Sequence, residues 1–398
     1  MSCTPWLLVP LCWIAFAQAP AQAAERFELV DGDHVVLLGN TLIEREQRYG
    51  YWEALLTLRY PHRRIQFRNL GWSGDTVWGD ARAGFGSAAD GFRQLKEHVL
   101  ALQPSVIIIG YGLNESFAGE AGLPRFREGL RVLLDALAPS KARTVLLSPL
   151  SQEDLGRPLP DPAKHNQDLR RYRAALRAAA QERGLDFIDF DALLGDGAKS
   201  NPPAPLTDNG IHLTAFGYWR TGAALERGLG LTPLPWHYEI DLEGKPRSAE
   251  FKITAKALPL PPLPADAPRS ASAGSDPSLL RVRGLAPGTY QLKIDGQPVA
   301  LATQAEWNAG VHLMRGPEWD QVERLRQTIV EKNRLYFYRW RPQNETYLFG
   351  FRKHEQGQNA REIPQFDPLV AEREEEIARL RIPVTHKYEL VRTDEKIR

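Results

Sequence analysis

Cysteine is nearly missing from this chain. Of its 398 residues only Cys3 and Cys12 are cysteine, and both fall in the N-terminal stretch. From Trp6 to Ala19 that stretch is largely apolar, too short to span a bilayer, and Ala21-Gln22-Ala23 follows as a small-x-small cleavage site. Residues 1–23 are therefore read as a secretory signal peptide. Val9-Pro10-Leu11 does not make Cys12 a lipid-attachment site. The lack of Lys or Arg before the apolar run is the one feature that would suit a buried N-terminal helix instead. A chain cleaved after residue 23 holds no cysteine, which excludes disulfides, a thiol nucleophile and a cysteine-ligated metal. It is expected in the periplasm or outside the cell.

Charge of one sign is also lacking: 50 Lys and Arg face 49 Asp and Glu. With no long run of either sign, the sequence suggests neither nucleic-acid nor membrane-surface binding. No segment after the N-terminus has the length and apolarity of a transmembrane helix, and no internal repeat is present. A glycine-rich phosphate loop, a dinucleotide fingerprint and a metal-ligand cluster are all missing, so no cofactor and no metal are implied. The oligomeric state is not legible.

About 375 residues remain, enough for two domains or for one large domain with an appendage. From Glu25 to about Gly230 strand and helix signals alternate. Short β-branched-rich runs at 34–38, 65–70, 105–110, 144–148 and 186–190 have the length of buried strands. Amphipathic stretches near 44–58, 88–102, 124–137, 163–183 and 214–227 lie between and after them. Five such units predict a parallel sheet covered by helices on both faces, an α/β domain over 24–230.

After Gly230 the pattern changes, and 231–398 is read as a C-terminal α+β accessory region. Its β-rich part covers about 236–303, with a loop or linker at 258–273 and a hairpin over 280–301 turning at Ala286-Pro287-Gly288. The helical and loop part covers about 304–398, with helices at 318–333 and 367–381. Asp367-Pro368 is expected to supply the N-cap and first-turn proline of the second. Between these helices lies a stretch dense in aromatics, arginine and amides, 336–344 and 349–359. Such a surface suits docking onto the first domain, or stacking on a sugar.

Four polar blocks occur in a suggestive order: Gly39-Asn40-Thr41, Ser73-Gly74-Asp75, Gly112-Leu113-Asn114-Glu115, and Asp208-Asn209-Gly210-Ile211-His212. Each follows, or lies in the loop after, an apolar run, so all four gather at the carboxyl ends of the strands, where open α/β sheets bind ligands. An alcohol activated by a base, with donors aimed at an oxygen that becomes negative, is an acyl-transfer site. In that reading His212 takes the proton of Thr41. Gly74 N–H, the Asn114 amide and Thr41 N–H hold the oxyanion, glycine at 74 letting backbone approach the substrate closely. Plainer readings stand beside these: Thr41 as a helix N-cap, His212 as a satisfied loop histidine, Asn114 as a cap, Gly74 as a tight-turn residue. Ser73 lacks the final glycine of a Gly-x-Ser-x-Gly elbow and is set aside as a nucleophile.

The same blocks resemble the SGNH or GDSL-type hydrolases, esterases and lipases with a flavodoxin-like three-layer sandwich. The resemblance covers about 33–230, its motifs short singly but specific in combination. Gly39-Asn40-Thr41 is similar to the Gly-Asp-Ser block, 69–76 to the block whose glycine donates to the oxyanion, Gly112-Leu113-Asn114-Glu115 to the Gly-x-Asn-Asp block, and 209–214 to the Asp-x-x-His block. With Arg341-Pro342-Gln343-Asn344, the chain looks like secreted planctomycete-type members with an appended C-terminal region. Thr41 stands where the family has serine, and Asn209 where it has the aspartate that orients the histidine. Asp208, next door, is a candidate to orient it instead. The resemblance implies a secreted ester hydrolase, a carbohydrate O-deacylase, acting on a small-molecule or glycan ester. The alternative is a catalytically weak or inactive protein that keeps the cleft and binds carbohydrate or acyl groups; a third is an interaction module meeting a partner protein.

Overall fold

Five parallel strands form the central sheet in the order β2-β1-β3-β4-β5. They are β1 (His34–Gly39), β2 (Gln66–Gly71), β3 (Val106–Gly110), β4 (Arg143–Leu147) and β5 (Asp186–Ile188). This is a computed structural model, and it describes residues 27–194, 205–231, 236–268, 278–355, 357 and 359–393. The expected signal peptide, 1–23, lies outside the described residues, as does the end of the expected linker at 258–273.

The strands read as unbroken apolar runs because both faces are buried. In β1 the alternation of side chains sends Val35 and Leu37 into one core with Trp52, Leu55 and Leu225, and Val36 and Leu38 into another with Leu95, Val99 and Leu130. The first core lies under α1 (Thr41–Tyr49), α2 (Tyr51–Arg59) and α8 (Ala215–Gly228). The second lies under α3 (Ala88–Ala101), α5 (Gly119–Leu137) and α6 (Ala163–Arg183). Short helices α4 (Leu113–Ser116) and α7 (Phe190–Leu194) follow β3 and β5. The expected three-layer sandwich is present. One expected helix, 44–58, is two, because Gly50 turns left-handed (φ 66°) and ends α1.

Beyond α8 the chain builds two small sheets. One has the order β11-β8-β6 and the other β10-β9-β12-β7, from β6 (His237–Asp241), β7 (Ser248–Thr254), β8 (Leu279–Arg283), β9 (Thr289–Ile294), β10 (Gln297–Thr303), β11 (Val311–His312) and β12 (Thr385–Thr393). The expected hairpin at Ala286-Pro287-Gly288 is corrected. That segment carries the chain from one sheet to the other, and β8 pairs with β6 and β11 instead. The hairpin is β9–β10, turning at Asp295-Gly296 with φ of 49° and 82°. Two positive φ values fit the type I′ turn that Asp-Gly favours.

The helices here are α9 (Gln304–Ala309), α10 (Pro317–Trp340), α11 (Glu345–Leu348) and α12 (Phe366–Leu380). Asp367 is not the cap of α12, which starts one residue earlier behind Gln365; its carboxylate instead meets Arg339 at 2.8 Å. α10 docks on the sandwich through a buried pair, Lys332 Nζ to Glu53 Oε1 at 2.5 Å, with Asn333 Nδ2 donating to Glu53 Oε2 at 3.0 Å.

Candidate active site

β1 ends where α1 begins, and the helix start sets the alcohol. Asn40 is the N-cap: its backbone is extended and its Oδ1 accepts the Leu42 N–H at 3.1 Å. The reading of Thr41 as the cap is thereby corrected. Thr41 occupies the first helical position, where its own N–H has no intrahelical acceptor, and its hydroxyl accepts the Gly74 N–H at 3.4 Å. α1 packs tightly on the end of β2, since a Cβ on Gly71 would lie 2.1 Å from the Glu44 nitrogen. Gly74 differs: its φ is +79° and a Cβ there would meet nothing within 4 Å. Glycine is required at 74 by its left-handed backbone rather than by crowding within this structure.

A network behind Gly74 fixes that turn. The Asp75 carboxylate accepts from Arg82 Nε at 2.6 Å and from the Tyr111 hydroxyl at 2.8 Å, all buried. Asn114 Nδ2 donates to the Asp75 carbonyl at 2.7 Å, which brings the third block against the second. Glu115 accepts from Gly112 N–H at 2.8 Å and Val77 N–H at 2.9 Å; burial lifts its pKa to about 7. Ser73 gives both its N–H and its hydroxyl to Glu44, each at 2.8 Å, so its oxygen is committed elsewhere.

The histidine loop is pinned from the β4–α6 segment. Glu153 accepts from the Leu206 and Thr207 N–H groups, and its own N–H donates to the Gly210 carbonyl at 2.9 Å. Within the loop the Asn209 Oδ1 accepts from the N–H groups of Ile211 at 3.2 Å and His212 at 2.9 Å. Two backbone donors on one oxygen fix which end of the amide is which. Asn209 therefore turns its Nδ2 to His212 Nδ1, at 3.0 Å, and can only donate. Nδ1 must then accept, and the neutral ring carries its hydrogen on Nε2. A triad needs the opposite tautomer, with Nε2 free to take a proton.

Asp208 does not orient the ring. Its carboxylate pairs with Arg45 Nη2 at 2.8 Å, and Arg45 also reaches the Leu213 carbonyl at 3.4 Å. Burial first, and the Arg45 charge second, lower the His212 pKa against the opposing pull of Asp208. Among the described residues no hydrogen bond joins Thr41 to His212.

Three of the four blocks border one cleft, although Thr41, Gly74, Asn114 and His212 do not themselves line it. A cleft of about 20 Å³ is lined by Asn40 and Leu42, which flank Thr41, by Leu113 beside Asn114, and by Ile211 beside His212, with Pro149 and Leu150 closing it. Such a volume holds about one water-sized group. Among the described residues no cluster of three or more His, Cys, Asp or Glu could hold a metal. The sequence reading gave no role to Glu44, Arg45 or Glu153, which hold the two site loops, and named Arg341 only within the 336–344 stretch expected to dock on the first domain or stack on a sugar.

Comparisons with known proteins bear on the family and the fold. Residues 32–220 match the GDSL-like Lipase/Acylhydrolase family, and this part of the chain belongs to the SGNH/GDSL hydrolases. The structure of a gut microbial diltiazem-metabolizing enzyme matches at a TM-score of 0.70 and 16% identity, covering 93% of this chain and 100% of that one. A catalytic mutant of Axe2, an acetylxylan esterase from Geobacillus stearothermophilus, matches at 21% identity with a TM-score of 0.43, covering 52% of this chain and 98% of that one. The first of these likenesses extends through the accessory region and speaks to the fold. No curated protein sequence matches the chain.

Proposed function

We propose that this chain is an exported, slow ester hydrolase that removes short acyl groups from carbohydrate esters, with Thr41 as nucleophile and His212 as base. The observation that carries the reading is the Gly74 N–H facing the Thr41 hydroxyl at 3.4 Å, at a helix start where Thr41 is freed from capping by Asn40. A carbonyl oxygen bound there would meet the Gly74 and Thr41 N–H groups, while Asn114 Nδ2 braces that turn through the Asp75 carbonyl. Thr41 Oγ1 attacks the ester carbon as His212, through its minor Nδ1–H tautomer, takes its proton on Nε2, and the scarcity of that tautomer beside the Asn209 donor makes the reaction slow. Collapse releases the alcohol, which receives that proton, and leaves an acyl-threonine that water hydrolyses by the reverse transfers. The small apolar-walled cleft beside Thr41 favours acetyl over longer chains. Sugar as the alcohol is supported by the exposed Phe85 and Phe351, whose rings meet edge to face at 6.2 Å.

A second reading, a binder that keeps the cleft, is favoured by the donor that Asn209 presents to His212. Acetate release from an acetylated xylo-oligosaccharide, compared with His212→Ala and Thr41→Ala, separates the two. Turnover lost in both variants supports the hydrolase. Saturable sugar binding with equal acetate release in all three proteins would overturn it in favour of the binder.

A further inference from the structure

The accessory region does more than pack against the sandwich, because one of its side chains reaches the turn that carries Gly74. Arg341 directly follows α10. Its Nη1 donates to Glu44 Oε2 at 2.8 Å, and its guanidinium lies over the Trp72 ring, 3.5 Å from the centroid. Both contacts lead to the site. The same Glu44 oxygen accepts the Ser73 N–H at 2.8 Å while its other oxygen holds the Ser73 hydroxyl. Trp72 and Ser73 are the two residues before Gly74, and Trp340, one residue earlier than Arg341, meets the Trp72 ring edge to face at 5.8 Å. Trp72 also meets Arg82, at 5.4 Å, the residue that grips Asp75.

We propose that Arg341 is a positioning residue: through Glu44 and Trp72 it holds the 72–74 turn so that the Gly74 N–H points at the reacting oxygen. The physical case rests on Glu44. Its side chain is 10% exposed, and a largely buried carboxylate left without its cation turns toward water or toward other donors, since the desolvation of an unpaired charge is costly. Either movement releases the Ser73 N–H and with it the direction of the next amide. Arginine suits the task better than lysine because one planar group can stack on an indole and donate sideways to a carboxylate. The accessory region thus supplies part of the site's geometry, and a chain ending before Arg341 lacks it.

This inference rests on the hydrolase reading only for its rate consequence, so two measurements on the full chain test it. Amide exchange followed by mass spectrometry reads the turn whether or not the protein turns over. Arg341→Ala should speed exchange in the peptide covering 72–76 at least fivefold, Arg341→Lys should restore part of the protection, and the distant β4 peptide should not change. With p-nitrophenyl acetate, Arg341→Ala should lower kcat per folded molecule at least tenfold with KM within twofold, at a temperature well below the variant's Tm. Unchanged exchange at 72–76 overturns the proposal, as does a loss of activity that follows Tm and spares kcat per folded molecule. If wild type shows no turnover but exchange rises as stated, the hydrolase reading fails and the positioning role stands.

Discussion

Replacing Asn209 by aspartate changes one terminal group and should shift His212 into the tautomer that acts as a base. In the present loop Asn209 Oδ1 is occupied by two backbone N–H groups, and Nδ2 donates to His212 Nδ1 at 3.0 Å. An aspartate in the same pose keeps Oδ1 where it is and sets its second oxygen, an acceptor only, 3.0 Å from Nδ1. The hydrogen then moves to Nδ1, Nε2 gains a free lone pair, and the new charge stabilises the imidazolium formed in the transition state. In a Ser-His-Asp enzyme the reverse change costs about 10⁴ in kcat because the tautomer is wrong, or ~5 kcal/mol of barrier. The methyl of Thr41 remains, so the gain should lie between about 10² and 10⁴ on p-nitrophenyl acetate.

The pH profile carries its own sign. Burial and Arg45 hold His212 below its ordinary value of 6.5, so wild-type activity should rise with pH through a midpoint below 6.5. Asn209→Asp should move that midpoint upward, because a carboxylate favours the charged ring. Nitrogen-15 NMR of His212 reads the tautomer directly: Nε2–H in wild type, Nδ1–H in the variant. A variant that shows Nδ1–H but gains less than tenfold in rate would refute the argument that the tautomer limits activity.

Thr41→Ser removes a methyl beside the attacking oxygen and should raise kcat about tenfold, the equivalent of ~1.4 kcal/mol of crowding, while Thr41→Ala abolishes turnover; equal rates in initial-rate assays of all three proteins would exclude Thr41 as nucleophile. Lys332→Ala strips the cation from buried Glu53 and should cost about 3–5 kcal/mol in urea unfolding; a loss below about 1 kcal/mol means the carboxylate is solvated. Glu115 has a folded pKa of about 7 against an ordinary 4.5, so its contribution is full below 4.5 and lost as pH rises to about 7. The urea-midpoint advantage of wild type over Glu115→Gln should shrink across that window, and a pH-independent difference would contradict the burial.

The parts of this molecule that its sequence discloses are those set by neighbours along the chain. β1 is legible because Val35, Val36, Leu37 and Leu38 must all be buried, and α6 because its period persists over 21 residues. The site blocks are legible because a strand end, a polar turn and a helix start repeat in order. Local rules also decide the hairpin: Asp295-Gly296 is a stronger turn signal than Pro287-Gly288, because its two residues adopt the positive φ values that a type I′ turn requires. In β12, His386, Tyr388 and Leu390 alternate inward in a strand that was read only as part of a helical and loop region. What stayed hidden has a different cause. Whether Asn209 accepts from or donates to His212 depends on which backbone amides claim its oxygen, a matter of loop geometry to which the residue type is indifferent. Arg341 and Glu44 are 297 residues apart, and each taken alone is an ordinary surface charge. Their pairing depends on the docking of α10 over α1 and α2, to which Lys332 and Asn333 on Glu53, Arg326 on the Tyr49 carbonyl and the packing of Val322, Leu325 and Ile329 on Ala54 and Leu58 all contribute. It follows that the rate of this site should respond to substitutions along the α10 docking face in proportion to how far they displace Arg341, and hardly at all to equally destabilising substitutions in the core between β9 and β12.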